Sequence, residues 1–338
     1  MKFKKFSALI TVGALAAVSM LAGCGSTGGD GSSSSTADSS SGKKYSIGLC
    51  QLVQHDALDA ATQGFQDELN EKLGAENVSM DLQNAAGESA TCATIVNQFV
   101  SSDVDLIFAN ATASLQAAAA ATSDIPIVAT SITDYATALD IDDWTGTTGR
   151  NITGTSDLAP LADQAAMIKE LLPDAKNVGL VYCSSEANSK YQVDVVTEEL
   201  EKLGYTCTPY AFADSNDVVS VVTTACDSSD VIYIPTDNTA AANTEIINNV
   251  AEPAGVPIIA GEEGICEGCG IATLSIDYYS IGKIAGDMAY DILVNGADPS
   301  TMEIKFADGL TKKYVPERCE KLGITVPDDY VAIGETAE

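Results

Sequence analysis

The sequence predicts an α/β protein made of two doubly wound lobes, each with an open parallel sheet, joined by a hinge. From about residue 44 onward, short apolar segments alternate with segments of helical periodicity. This alternation is typical of a parallel sheet covered by helices on both faces. The pattern of the first half then recurs in the second half, so each half predicts a lobe of its own.

The first half alternates regularly between strand and helix patterns. Helix 56–73 shows the clearest periodicity, because its apolar residues fall on one stripe. Strands are predicted at 45–50, 78–82, 105–108 and 125–129, and helices at 56–73, 91–100 and 114–121.

The second half repeats this order. Residues 177–205, NVGLVYCSSEANSKYQVDVVTEELEKLGY, follow the same course as residues 45–74, with a strand, a polar loop and a long helix. Gly74 and Gly204 suit the left-handed residue that follows a helix end. Residues 230–260 repeat the layout of 104–130, including a polar loop that leads into an alanine-rich helix. The two copies join near residues 149–157.

Polar residues follow the strands at corresponding places in both copies. In open parallel sheets a ligand binds beyond the carboxyl ends of the strands. A cleft between the two lobes should therefore be lined by the loops at 51–55, 110–112, 130–134, 184–189, 236–239 and 261–263.

The amino terminus predicts export. A short basic region is followed by an apolar run from residue 6 to 21, which is short for a transmembrane helix, and then by Leu-Ala-Gly-Cys. This ending resembles the cleavage box of bacterial lipoproteins, which implies a signal peptide at 1–23 and acyl chains, palmitate among them, on Cys24. The Gly/Ser-rich stretch 24–43 is expected to be a flexible tether. We therefore expect an extracytoplasmic protein that is lipid-anchored to the cell membrane.

The composition argues against several other functions. A net charge of −31 repels nucleic acid and anionic lipid. Phosphate-binding and nucleophile motifs are missing and His55 is the single histidine, so we expect neither an enzyme nor a cofactor or metal site.

Besides Cys24 there are eight cysteines, and the sequence does not decide their pairing. For Cys266 and Cys269 a local disulfide, two free thiols, a redox motif and a metal site stay open.

Five segments resemble one known family. They are GLCQLVQHDALDAATQGFQDEL, ATSITDYATA, NITGTSDLAP, YCSSEANSKYQV with IPTDNTAAA, and IATLSIDYYSIGKIAGDMAYDIL. They are similar to substrate-binding lipoproteins of ABC importers with the type I periplasmic-binding-protein fold, in the branch that binds tryptophan, tyrosine or phenylalanine. Asp56 departs from that branch, where proline is common after the histidine.

The resemblance implies two Rossmann-like lobes, 44–153 plus 276–307 and 154–275 plus 308–338, with three crossovers as a hinge. It implies a monomeric, non-enzymatic receptor that passes an amino acid to an ABC permease and its ATPase. Another solute such as a sugar, nucleoside or peptide fragment, a ligand-presenting sensor subunit and an extracellular hydrolase are the alternatives. The low aromatic content of 6% weakens the sugar alternative, and the single histidine weakens the hydrolase.

An amino-acid ligand needs partners for its carboxylate and its ammonium group. Hydroxyls and free N–H groups at helix starts suit the carboxylate, and the candidates are Thr112, Ala113, Thr130 and Thr133. Asp237 and Glu186 are the candidates for the ammonium. The alternatives are that Thr112 and Asp237 only cap helices and that Glu186 is solvated. Further candidate ligand-binding residues are Gln51, His55, Asp134, Asn188, Ser189, Asn238, Thr239 and Glu262.

Overall fold

Two mostly parallel sheets organise the protein, as the repeated pattern predicts. The computed structural model describes residues 43–307 and 309–334. The predicted signal peptide, Cys24 and nearly all of the tether lie outside these residues.

The first sheet has the order β11-β5-β4-β3-β1-β2, and its strands pair in parallel. Its strands are β1 (Tyr45–Gln51), β2 (Val78–Asn84), β3 (Leu106–Asn110), β4 (Ile127–Ile132), β5 (Ile152–Ser156) and β11 (Lys305–Phe306). The helices that accompany it are α1 (Asp56–Leu73), α2 (Ser89–Ser101), α3 (Thr112–Ala121), α4 (Tyr135–Leu139) and α11 (Tyr278–Asn295). We refer to this part as the first lobe.

The second sheet has the order β13-β12-β10-β9-β8-β6-β7 and is parallel except where β10 meets β12. Its strands are β6 (Asn177–Cys183), β7 (Thr206–Phe212), β8 (Val231–Ile234), β9 (Ile258–Ala260), β10 (Ala272–Ser275), β12 (Thr311–Tyr314) and β13 (Val331–Ala332). Its helices are α5 (Leu161–Leu171), α6 (Ala187–Lys202), α7 (Val218–Ser228), α8 (Asn238–Ala241), α9 (Thr244–Ala254), α10 (Glu263–Cys269) and α12 (Pro316–Leu322). This part is the second lobe.

Two details differ from the sequence pattern. The expected alanine-rich helix after β8 is divided into α8 and α9, because the chain leaves helical geometry at Asn243. The helix α4 was not predicted, since a helix of five residues is too short to show a periodicity.

The chain passes between the two sheets three times. It does so after β5, after β10, and between β11 and β12. Strand β5 continues to Ser156, so the expected boundary after residue 153 falls inside a strand of the first sheet. The second and third crossovers both line one cavity, which is described below with Glu262.

The closest helix pair of the first lobe is α1 with α11. A Cβ atom added at Gly64 would overlap the carbonyl oxygen of Tyr279, and one at Gly282 would overlap that of Ala61. Any larger residue would push these helices apart. Beneath them the rings of Phe65 and Phe108 stack with their centroids 3.9 Å apart. The apolar core therefore fixes α1, whose first residue borders the cleft.

Candidate functional site

Loops from both lobes meet around one cavity of about 550 Å³. The cavity lies beyond the carboxyl ends of β1, β2 and β3 in the first lobe and of β6, β7 and β8 in the second. This is the position that open parallel sheets favour for ligands. Six of the residues predicted for the site line it: Thr112, Ala113, Glu186, Asn188, Asn238 and Thr239.

The second-lobe wall is the start of α8, and Glu186 holds it. The carboxylate of Glu186 accepts from the backbone N–H of Asn238 at 3.0 Å and of Thr239 at 2.8 Å. It also accepts from the side chains of Asn238 at 2.7 Å, Thr239 at 2.8 Å and Asn188 at 3.1 Å. Glu186 is only 9% exposed, so the alternative that this side chain is solvated is wrong.

Asp237 completes the capping of α8. One carboxylate oxygen accepts from the Ala240 N–H at 2.8 Å, and the other accepts from the Cys183 N–H at 2.6 Å. Asp237 is 1% exposed. Asp237 therefore caps α8, as the capping alternative proposed. Together, the carboxylates of Asp237 and Glu186 accept from the N–H groups at the start of α8.

The first-lobe wall is the start of α3, and it is built differently. No side chain caps α3. The first N–H groups of a helix have no partner within the helix, and here no carboxylate supplies one. Ala111, which precedes the helix, has a φ of 83°, a conformation that a residue with a Cβ rarely adopts. Strain of this kind is found at ligand-binding sites. The two copies of the strand-loop-helix unit thus differ. In the second copy, carboxylates accept from the N–H groups at the helix start, and in the first copy no side chain does.

Polar atoms without partners lie next to this open helix start. Among the described residues, three buried side-chain polar atoms have no hydrogen-bond partner, and two of them belong to Asn110 at the end of β3 and Ser131 near the end of β4. Ser131 has a φ of 55° and lies at an irregularity in the pairing of β4 with β5. Buried polar groups are normally bonded, so these atoms indicate a place where a polar ligand is expected.

Hydrogen bonds also join the two lobes across the cleft. The Nε2 atom of His55 lies 3.2 Å from the Oδ1 atom of Asn238. The Nε2 atom of Gln192 donates to the Thr133 hydroxyl at 3.4 Å. The lobes therefore touch directly at two places.

Four carboxylates that follow the carboxyl ends of strands are buried, namely Asp157, Glu186, Asp237 and Glu262, and of these Glu186 lines the cavity. Burial raises the pKa of Asp157 to about 6, that of Glu262 to about 7, and that of Asp237, with the charge of Glu186 as a second cause, to about 8. Burial also lowers the pKa of His55. In the part of the chain that the structure describes, no lysine or arginine forms an ion pair with any of the four. A buried carboxylate without an ion-pair partner favours a cationic group beside it.

The other predicted residues take supporting positions. Gln51 is buried and bonds within the first lobe to Val53, Asp59 and Thr62. The hydroxyls of Thr130 and Thr155 lie 2.8 Å apart. Asp134 caps α4 through the Thr137 N–H at 2.7 Å, and Ser189 is buried beside Asn188.

Glu262 lies away from the main cavity. It caps α10 through the N–H groups of Gly264 and Ile265. It lines a separate cavity of about 460 Å³ beside the crossovers, with Asp56, Asp277 and Lys313.

Sequence reasoning missed three residues at the junction of the lobes: Asp157, Gln192 and Tyr278. Gln192 lies one helical turn after Asn188, so the spacing of four residues would have indicated it. Asp157 follows β5 directly, as the other site residues follow their strands. Tyr278 had no comparable signal, because it starts a helix that returns from the second lobe.

The eight cysteines of the described chain are free thiols. Cys266 and Cys269 are both buried and unpaired. The described residues contain no group of three or more His, Cys, Asp or Glu side chains placed to hold a metal ion. Among the described helices, none has both the length and the apolar character needed to cross a membrane.

Known proteins match most of the chain. Residues 46–336 match the family described as ABC transporter substrate binding protein. A protein of Clostridioides difficile (strain R20291) named tyrosine-binding protein is 37% identical over 255 residues, which are 75% of this chain and 74% of that protein.

Two similar solved structures differ in how well they superpose on this chain. An ABC domain from Streptococcus pneumoniae in complex with L-Trp is 32% identical with a TM-score of 0.81, covering 85% of this chain and 97% of that one. A substrate-binding protein with adhesive properties from Clostridium difficile, in a ligand-free, open structure, is 36% identical with a TM-score of only 0.64, covering 85% and 99%. Together with the bonds across the cleft, these values indicate that the lobes here lie closer to the arrangement of the L-Trp complex.

Proposed function

The chain belongs to the family of ABC transporter substrate-binding proteins, and we propose that it captures a free amino acid with an aromatic side chain in the cleft between its lobes. In this proposal the protein is a non-enzymatic, monomeric receptor outside the cytoplasm that delivers tryptophan, tyrosine or phenylalanine to an ABC permease and ATPase. The relatives named for tyrosine and solved with L-Trp support this choice of ligand.

The unequal walls of the cleft are the observation that carries the proposal. The first-lobe wall offers an uncapped helix start beside unpartnered polar atoms of Asn110 and Ser131. Such a helix start attracts a carboxylate. The second-lobe wall also holds the buried carboxylate of Glu186, which forms no ion pair among the described residues and so attracts an ammonium group. An α-amino acid carries both groups on one carbon, so it satisfies both sides of one cavity.

The wall residues leave room for a side chain. Between the polar groups the cavity is lined by Leu52 and Val53 and by small residues, namely Ala86, Gly87, Ala90, Ala113, Ala187, Ala213 and Ala242. The same cavity is also lined by polar residues, among them Glu88, Gln116 and Asp214. Its apolar part can pack against a hydrophobic ligand side chain.

A thermal-shift screen against the twenty amino acids tests this function. A ligand present at a hundredfold excess over its Kd stabilises the folded state by about 2.7 kcal/mol. We expect the largest shifts with tyrosine, tryptophan or phenylalanine and smaller ones with aspartate, glutamate, lysine and arginine. A screen in which no amino acid raises the melting temperature, while a sugar or nucleoside does, would contradict the proposal.

We also propose that the mature protein is anchored to the membrane by lipid on Cys24, which lies outside the described residues. Cys24→Ala removes the thiol that would carry the lipid. The variant is expected to appear in the soluble fraction or as a precursor that keeps its signal peptide. Fractionation with an antibody against the folded part measures this, and Cys50→Ala is the matched control because Cys50 is a buried thiol of the first lobe. Mature Cys24→Ala protein in the membrane fraction would show that the anchor is not on this residue.

A further inference from the structure

Two buried thiols of the first lobe have no part in the proposed function. Cys50 lies near the end of β1, Cys92 lies in the first half of α2, and both side chains are fully buried. The other cysteines that the structure describes all belong to the second lobe. Within its own lobe, each of these two thiols therefore has the other as its one possible disulfide partner.

The two sulfur atoms share one hydrogen-bond partner. The Sγ atom of Cys50 donates to the Ser114 hydroxyl oxygen at 3.6 Å, and the Sγ atom of Cys92 lies 3.5 Å from the same oxygen. A hydrogen bond between the two thiols is the main reason why the pKa of Cys50 is raised and that of Cys92 is lowered. Among the described cysteines, no other two share a partner in this way. The sulfurs are therefore neighbours, and Cys92 is the thiol that ionises first.

The packing of α2 on β1 keeps the two thiols opposite each other. A Cβ atom added at Gly48 would overlap the ring of Phe99, so a glycine is needed for the helix to approach the strand this closely. Gly48 and Cys50 are two residues apart and lie on one face of the strand. Cys92 and Phe99 are seven residues apart, about two turns, and lie on one face of the helix. Phe99 therefore packs on Gly48, and Cys92 on Cys50.

The start of α2 offers a route from the cleft to this pair. Glu88, Ser89 and Ala90 line the main cavity, and among the described residues no side chain caps α2. Ala86, in the loop before the helix, has a φ of 53°. An uncapped first turn opens more easily than the interior of a helix. Cys92 lies one turn into α2, so opening of this turn brings solvent from the cavity to its sulfur.

We propose that Cys50 and Cys92 form a disulfide bond when the protein meets a low-molecular-weight disulfide, and that this bond braces α2 against β1 beside the cleft. The thiolate of Cys92 attacks one sulfur of the external disulfide and releases one thiol. Cys50 then gives up its proton, and its sulfur attacks the mixed disulfide at Cys92 and releases the second thiol. Two protein thiols are oxidised, and one external disulfide is reduced to two thiols. Export, which the sequence predicts, brings the protein into a compartment where such bonds persist.

Peptide mapping tests the pairing. The full chain is incubated with oxidised glutathione or with a reductant, free thiols are alkylated in denaturant, and the digest is analysed by mass spectrometry. We expect a cross-linked pair of peptides that contain Cys50 and Cys92 after oxidation, and its loss after reduction. Cys92→Ser should not form this cross-link. Cys226→Ser removes a half-buried thiol of the second lobe and is the control that should keep it.

The melting temperature tests the bracing. A disulfide restricts the unfolded chain, so the rise in Tm on oxidation should be about 5 °C or more larger in wild type than in Cys92→Ser. Alkylation of both Cys50 and Cys92 after oxidation, pairing of either with a cysteine of the second lobe, or a cross-link without this difference in Tm overturns the proposal. Mapping of wild type needs no substitution, so it decides the pairing even when the Cys92→Ser variant does not fold.

Discussion

Glu186→Ala is expected to lower the free energy of unfolding by about 2–4 kcal/mol, because it leaves several buried donors without an acceptor. Glu186 accepts from two backbone N–H groups and from three side chains around the start of α8. Asn238 and Thr239 line the cavity, so their displacement should also weaken ligand binding.

Chemical denaturation of wild type and variant measures the stability change. Glu198→Ala is the matched control, since Glu198 is an exposed glutamate on α6, the helix that Glu186 precedes. It should change stability by less than about 0.5 kcal/mol. If Glu186→Ala were as stable as the control, the hydrogen bonds of Glu186 at the start of α8 would not contribute to the free energy of unfolding.

Asp237→Asn is expected to destabilise the protein by about 1–3 kcal/mol, although asparagine caps helices as well as aspartate does. The reason is that both oxygens of Asp237 accept from backbone N–H groups, those of Ala240 and Cys183. The amide of asparagine keeps one acceptor and turns a donor toward the other N–H. Asp237→Ala removes both acceptors and should cost more.

Ligand affinity separates this structural role from direct binding. If Asp237 only holds α8, the folded asparagine variant should bind the amino acid within about tenfold of wild type, a difference of less than about 1.4 kcal/mol. Calorimetry at a temperature where the variant is folded gives this value. Normal stability with affinity lost by a larger factor would instead make Asp237 a direct partner of the ammonium group.

The fold class could be predicted from the sequence because local pattern and global architecture agree. The apolar stripe of α1 faces its own sheet, where Phe65 stacks on Phe108, and the same strand-loop-helix order recurs in the second lobe. The division of the expected helix into α8 and α9 was not visible, since the alanines around residues 240–242 fit a continuous helix equally well. Asn243 breaks the helix, and asparagine in a helix pattern is only a weak signal.

The candidate site could be predicted only in outline. Strand ends indicated which loops meet, and six of the predicted residues do line the cavity. The residues' partners could not be predicted, because they come from distant parts of the chain. In the sequence, Glu186 looks like a surface acid, because its partners at the start of α8 are far along the chain. Asp157 likewise accepts from the hydroxyl of Tyr278, which is 121 positions away in sequence.

Hydrogen–deuterium exchange with and without the amino acid that binds best tests the central claim most directly. If the ligand lies between the lobes, amides in the loops at 51–55, 110–113 and 130–134 of the first lobe and at 184–189 and 236–239 of the second should all become protected on binding. The outer strands β2 and β7 serve as internal references and should change little. Protection confined to one lobe, or found only around Glu262 beside the crossovers, would contradict binding in a cleft that both lobes form.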